Sequence, residues 1–253
     1  MIKLSELNKS VFDIEKINDL MCRIYFDNES QNNSYFKWLS ILRDCAIYTG
    51  SVDGVAVGVI FDTNDLIKII YRDSGEIYSG ATAGAGIVVP KKLLGNSSNS
   101  NRKNSHMVVN INTDYWWKSF TVGVHRVMQL VFNGEYFLNV LSSPKYEAAY
   151  CINHKDNNGW FNGYDNLEMC GSKENRIHAE YVEMIGTYRP DLCHKVKDEL
   201  VLNTGISYQD IFDFELAYSS DLDELEALKK QGKISSKAYQ NKRCELFIEY
   251  IGW

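Results

Sequence analysis

Residues 151–179, CINHKDNNGWFNGYDNLEMCGSKENRIHA, carry the pattern on which the reading of this chain turns. The apolar residues leading to Asn153-His154 read as a strand entering the stretch, and the run after Glu174 reads as a helix leaving it. Asn166-Leu167-Glu168 begins twelve residues after His154, and Asn175 follows nine residues after Asn166. A turn is expected after the strand, with Asp156 placed to close it.

The flanks support a frame around this loop. Upstream, MVVNIN (107–112) and SFTVGV (119–124) alternate as a hairpin, and HRVMQLVF (125–132) has helical spacing. NGEYFLNVLSSPKYEAAY (133–150) carries no special signal. From Gly50, the runs GVAVGVIF, LIKIIYR, GEIYSG and GIVVP read as short strands, with a turn at Asp73-Ser74-Gly75. Residues 79–94 are glycine-rich, but they lack both the GKS/GKT ending of a phosphate loop and a GxGxxG opening a helix. Residues 95–106, GNSSNSNRKNSH, read as a solvated loop or as an arm that contacts phosphates.

Residues 1–48 are expected to be helical, with Ser5 as a cap and two amphipathic runs broken at 27–34. Residues 181–253 are expected to return to helix. Asn203-Thr204-Gly205-Ile206-Ser207 has the spacing of a helix-turn-helix corner. Asp210, Asp213 and Glu215 would put acid on its reading helix, which favours a plain helical bundle. Residues 221–251 read as a helical hairpin turning at Gly232. The expected fold class is α+β: N-terminal helices (1–65), a β-rich middle (66–180) and C-terminal helices (181–253).

Composition bounds the function. The chain of 253 residues is 45% hydrophobic and 24% charged, ordinary for a globular protein. No apolar run reaches the roughly 18 residues of a membrane span, and the first residues lack a signal-peptide core, so a cytoplasmic location is expected. Six cysteines are scattered without a CxxC pair, which reads as buried thiols; Cys151, Cys170 and His194 could form a zinc site only if the fold gathered them. The net charge of −6 opposes tight nonspecific binding of nucleic acid. Residues 66–180, however, hold 12 Lys/Arg against 10 Asp/Glu, so the acid excess lies outside the candidate site.

The residue types at 151–179 suit phosphodiester hydrolysis. That reaction needs a base to deprotonate water and a cation for the charge on the leaving oxygen. A neutral histidine can supply the base near pH 7, and amide or carboxylate oxygens with the phosphate can hold Mg²⁺. A strand ending in Asn153-His154 and a helix carrying Asn175 could converge on one ion.

With these residues in view, the chain resembles the HNH nucleases, especially the homing-type endonucleases of phages and mobile introns. The matching positions are Val124-His125-Arg126-Val127-Met128 with Phe132, Asn153 to Asn158, Asn162, Asn166-Leu167-Glu168, and Glu174 to Ala179. Coverage runs over about 107–180, and residues 71–80 are similar to a strand-turn element that often precedes the motif. The resemblance implies a ββα-metal core with His154 as general base, Asn166 holding the loop that orients it, and Asn153 and Asn175 as ligands of one Mg²⁺ or Mn²⁺. The family often has aspartate where Asn153 stands, and a neutral carbonyl holds Mg²⁺ more weakly.

Four further residues sit near the motif. His125 either orients the site or simply packs; His178 shares a helix face with Asn175 and could touch phosphate or metal; Arg126 and Arg176 are candidate phosphate contacts. Asp156 either closes the turn or binds metal. The resemblance implies a metal-dependent endonuclease acting on duplex DNA in a bacterial or phage-infected cell. The alternative is a degenerate HNH module that binds DNA or protein without cleaving.

Overall fold

The computed structural model describes residues 1–27, 33–93, 96–97, 106–114, 119–142 and 150–253. It is a mixed α+β chain that divides into two compact units. Unit 1 comprises Met1–Glu147 and Gly159–Leu167, and unit 2 comprises Ala148–Asn158 and Glu168–Trp253. The boundaries expected from sequence, at 65/66 and 180/181, follow neither unit. Residues near position 2 pair with residues near position 87, and one helix runs unbroken across position 180.

Unit 1 is built on a seven-stranded antiparallel sheet. Its strands are β1 (Ile2–Lys3), β2 (Leu7–Lys9), β3 (Ala46–Val52), β4 (Val55–Phe61), β5 (Ile67–Tyr71), β6 (Ile77–Ala83) and β7 (Gly86–Leu93). The order is β1-β7-β6-β5-β4-β3-β2, so the two edge strands are β1 and β2. Only the 3₁₀ turn Leu4–Glu6 separates them. Four residue steps reach at most about 14 Å, whereas a flat sheet of seven strands spans about 29 Å at ~4.8 Å per neighbour. The sheet therefore has to curl until its edges approach. Ile2, Leu7, Val57, Val59, Ile67, Ile69 and Ile87 fill the concave side.

Residues 1–9 thus correct the helical expectation. Ser5 lies in the 3₁₀ turn, and its neighbours are strands too short to show alternation. The two expected helices do form, as α1 (Ile14–Asp27) and α2 (Asn33–Asp44). Ile17, Leu20 and Met21 are buried on α1, the i, i+3, i+4 face of an amphipathic helix.

Strand β8 (Asn96–Ser97), β9 (Met107–Asn112) and β10 (Ser119–Gly123) form a second sheet, with Ser119 opposite Asn112 and Gly123 opposite Val108. The hairpin read from the alternation is present. Most of the loop read as an arm at 95–106 lies outside the described residues. Helix α3 (Val124–Phe132) follows directly and is buried on almost all sides, as its run of apolar residues requires. Gly58 on β4 makes room for it: a Cβ there would lie 2.2 Å from Cγ1 of Val131. Helix α4 (Gly134–Ser142) occupies part of the segment without a signal.

Unit 2 contains the hairpin β11 (Tyr150–His154) and β12 (Leu167–Gly171), then helix α5 (Ser172–Tyr188). Glu174 starts α5 by accepting the Gly171 N–H at 2.5 Å, placing a carboxylate where the helix dipole favours it. The next segment departs from expectation. A hairpin of β13 (Cys193–Val196) and β14 (Glu199–Leu202) follows α5, so residues 203–207 join a strand to a helix rather than two helices. Lys197 and Asp198 take the left-handed conformation that a tight hairpin turn needs.

Ser207 begins α6 (Tyr208–Ala217) as half of a capping box: its Oγ accepts the Asp210 N–H at 3.1 Å, and Asp210 accepts the Ser207 N–H at 2.7 Å. Helices α7 (Ser219–Lys230) and α8 (Ser236–Ile251) form the expected helical hairpin, with Gly232 at positive φ. The core of unit 2 joins Tyr181, Val182 and Ile185 of α5 to Leu202, Ile211, Phe214, Phe247 and Ile248.

Candidate functional site

The strand expected to enter 151–179 and the helix expected to leave it are both present, and a further strand, β12, lies between them. Asn153 and His154 end β11, and their side chains are only 6% and 5% exposed. The chain then turns at once: the Asn157 N–H donates to the His154 carbonyl at 2.8 Å, and Asn157 has φ 63°. Asparagine tolerates that left-handed conformation better than most residues, which gives this position a reason for its side chain. Asp156 accepts the Asn158 N–H at 2.8 Å and so closes the turn through local backbone.

The segment beyond α5 braces this turn. The Leu202 N–H donates to the Asp156 carbonyl at 2.9 Å, the Ile206 N–H donates to the Lys155 carbonyl at 3.0 Å, and Asn157 Nδ2 donates to the Leu200 carbonyl at 2.8 Å. A Cβ on Gly205 would fall 2.9 Å from Cβ of Lys155, so glycine permits the approach. The C-terminal region is thus part of the framework that holds the backbone beside His154. Sequence reading set it apart because strands of four residues with charged members have no clear periodicity.

His178 is 1% exposed on α5, and its Nε2 lies 3.0 Å from the Ile206 carbonyl and 3.2 Å from the Lys155 carbonyl. Both partners only accept, so Nε2 carries the proton and the ring ties α5 to the braced turn. Burial holds its pKa below the ordinary imidazole value, against opposing contributions from Glu168 and the two carbonyls. That commitment makes His178 a structural tie through Nε2.

Asn153 has a defined orientation. Its Nδ2 donates to Glu168 Oε1 at 2.8 Å, and the same carboxylate accepts the Tyr208 N–H at 2.9 and 3.2 Å. A carboxylate accepts and cannot donate when ionised, so the amide nitrogen must face it and the carbonyl oxygen must face elsewhere. Asn175 is half-buried in the first turns of α5, and its side chain makes no hydrogen bond among the described residues. Helix α5 packs against β11, the strand that ends in Asn153 and His154. The donor set therefore fits a hard divalent cation by type: two neutral amide oxygens, one aimed away from its anchor and one uncommitted.

The other expected residues fall as follows. Arg176 is 82% exposed and pairs with Glu180 one turn on, at 3.0 Å. Among the zinc candidates, Cys170 is buried and its thiol is pushed up to about 12 by desolvation, Cys151 Sγ lies 3.6 Å from Ser172 Oγ, and His194 Nδ1 lies 2.9 Å from Asn203 Oδ1.

The remaining site residues belong to unit 1. Asn166 Nδ2 donates to the Phe161 carbonyl at 3.0 Å, and the Asn166 N–H donates to the Gly163 carbonyl, folding the 159–167 loop on itself. That loop rests on the β5–β6 turn. The Tyr164 N–H donates to the Arg72 carbonyl at 2.8 Å, the Arg72 guanidinium reaches Asp165 at 2.7 Å, and it covers the Tyr164 ring at 4.6 Å. Arg126 lies over the Trp38 ring at 5.8 Å.

His125, 7% exposed in the first turn of α3, faces a second histidine that sequence reading missed. The rings of His106 and His125 have centroids 4.7 Å apart. Burial lowers the pKa of His106, opposed by a hydrogen bond to the Gly159 backbone, while Arg126 lowers it further. Two cationic rings at this spacing would repel, so the pair favours at least one neutral imidazole. Gly123 makes the arrangement possible, since a Cβ there would meet the His125 ring at 2.6 Å. The one signal for His106 was its place immediately before β9, hidden behind a polar run.

Comparison with family models, with curated proteins and with solved structures returns no match to this chain. No helix among the described residues is long and apolar enough to cross a membrane.

Proposed function

We propose that the chain is a metal-dependent DNA endonuclease of the HNH type, with His154 as the base that deprotonates water. The observation that carries this reading is the hairpin-helix of unit 2. A buried Asn-His pair ends its first strand, and an uncommitted asparagine lies on its helix. In the proposed role, Asn153 and Asn175 hold one Mg²⁺ or Mn²⁺ through their carbonyl oxygens. The bound ion would stabilise charge on the scissile phosphate and the leaving oxygen. His154 takes the proton from water in its neutral form, and the Asn157 hydrogen bond to its carbonyl fixes the backbone that carries it. Asn166 keeps the intervening loop closed through Phe161.

The test is nicking of supercoiled plasmid with Mg²⁺ or Mn²⁺. Wild type is expected to nick, and His154→Ala to lose at least about 100-fold of that rate, the usual contribution of a general base. Equal nicking by the variant would overturn the assignment of the base.

A second reading is favoured by a specific observation. The two candidate phosphate contacts are engaged, Arg176 with Glu180 and Arg126 over Trp38, and both proposed metal ligands are neutral. These features suit a module of this shape that binds DNA or protein without cleaving. Calorimetry separates the two: absence of Mn²⁺ binding that depends on Asn175, with or without DNA, selects the non-cleaving module.

A further inference from the structure

We infer that Glu168 is a positioning residue for the metal ligand Asn153, and that its carboxylate is why asparagine rather than aspartate stands at position 153; this rests on the nuclease reading above. Glu168 lies on β12 beside the end of β11, and its Oε1 takes the Asn153 Nδ2–H at 2.8 Å. The carboxylate is itself anchored, because it accepts the first N–H of α6, from Tyr208, through both oxygens at 2.9 and 3.2 Å. A helix N-terminus favours an anion at that place, so the acceptor is held in position by a ten-residue helix.

An amide group is planar, and its nitrogen and oxygen point about 120° apart from one carbon, so fixing the nitrogen fixes the oxygen. Without Glu168, no hydrogen bond to Asn153 among the described residues distinguishes the two amide orientations, and one of them would present N–H groups to the cation. Glu168 thus selects the orientation that offers an oxygen.

The same geometry explains the departure from aspartate. A carboxylate at 153 would place oxygen against oxygen at hydrogen-bond distance, with no proton between them, in a site where Asn153 is 6% exposed. Like charges at this separation repel strongly where water is excluded. The anionic ligand that would bind the metal more tightly is therefore incompatible with the anchor on β12. Asn153 and Glu168 are a matched pair, and position 153 can regain aspartate only if position 168 becomes a donor.

The experiment is Mn²⁺ titration by calorimetry of the full chain, read beside the side-chain amide resonances of Asn153 in ¹⁵N-labelled protein. Glu168→Leu removes the acceptor, and it is expected to weaken Mn²⁺ binding by about tenfold, the usual scale for a residue that orients a ligand. Its Asn153 amide protons should also lose their downfield, slowly exchanging signature. Glu168→Gln keeps an acceptor oxygen and is expected to retain both the signature and the affinity, which a loss of general packing would not predict.

Should Glu168→Leu fail to fold, the matched-pair variants still decide. Asn153→Asp is expected to bind Mn²⁺ more weakly than wild type. Asn153→Asp with Glu168→Gln, where the new amide can donate to the new carboxylate, is expected to bind at least as tightly as wild type. Absence of Mn²⁺ binding by the wild type overturns the nuclease reading. Binding by the wild type that Glu168→Leu leaves unchanged, or an Asn153→Asp defect that Glu168→Gln does not relieve, overturns the role of Glu168 alone.

Discussion

Replacing His178 with alanine should destabilise unit 2. The imidazole is 1% exposed, and its Nε2–H serves two carbonyls, those of Lys155 and Ile206. The Ile206 carbonyl has no other hydrogen bond among the described residues, whereas Lys155 also accepts from the Ile206 N–H. Truncation leaves one buried acceptor unserved at a cost of about 1–3 kcal/mol and opens a cavity costing about 2 kcal/mol more. A total near 4 kcal/mol corresponds to a fall of about 2 M in the urea midpoint for a slope near 2 kcal/mol/M. His178→Gln, which keeps a donor, should lose less than half of this. The assay is urea unfolding of the three proteins at pH 7.5. A His178→Ala midpoint equal to that of wild type would refute the view that this ring ties α5 to the turn.

Acid should act through the same residue. Burial holds the folded pKa of His178 below the ordinary 6.5, so the unfolded chain binds the proton more readily than the folded one. The contribution to stability is present above pH 6.5 and is lost as pH falls below it, by up to about 1.4 kcal/mol per pH unit until the folded pKa is reached. Urea midpoints between pH 7.5 and 5 should show this slope in wild type and a shallower one in His178→Gln. Gly75→Ala should lower stability by about 3 kcal/mol, since φ is +68° and the new Cβ would lie 2.4 Å from the carbonyl of Asn162; wild-type melting would contradict that packing. Arg243→Leu should cost about 1 kcal/mol: its guanidinium donates to Glu215 at 2.6 Å and to the Tyr181 hydroxyl at 3.0 Å, and without it the part-exposed Glu215 carboxylate keeps only the Tyr181 O–H. A double-mutant cycle with Glu215→Gln measures the shared part.

The sequence was most legible where periodicity had room to develop. Val109, Ile111, Phe120 and Val122 alternate over strands of five and six residues, and their hairpin could be read directly. α8 and its Gly232 turn were equally plain. The strands that escaped notice are two to four residues long, as in β1, β2, β13 and β14, and two or three side chains cannot establish a period. β3 is longer but buries only Ile47 and was absorbed into the preceding helix pattern. At the site, the Asn-His pair and the turn after it were visible because polar residues at fixed spacing have few structural reasons to recur. The commitment of His178 was not, because its partners are backbone carbonyls that no sequence pattern marks. The acceptor role of Glu168 was hidden for the same reason: one of its donors, the Tyr208 N–H, lies forty residues away.

The curled sheet of unit 1 also sets an order of events during synthesis. Residues 2–9 leave the ribosome before the strands they pair with, since Ile2 has its partner at Ile87 and Leu7 at Gly50. Strand β1 cannot find β7 until the intervening hairpins have been made, and β2 meets β3 only across the two helices α1 and α2; closing such long loops is slow compared with forming a local turn. The meander β3 to β7 must therefore assemble with both flanks open, and the early segment arrives last as a zipper along two edges at once. Until it does, the nascent sheet offers unpaired backbone at both margins to any neighbouring chain. The eight residues 2–9 are the ones that end this period of exposure.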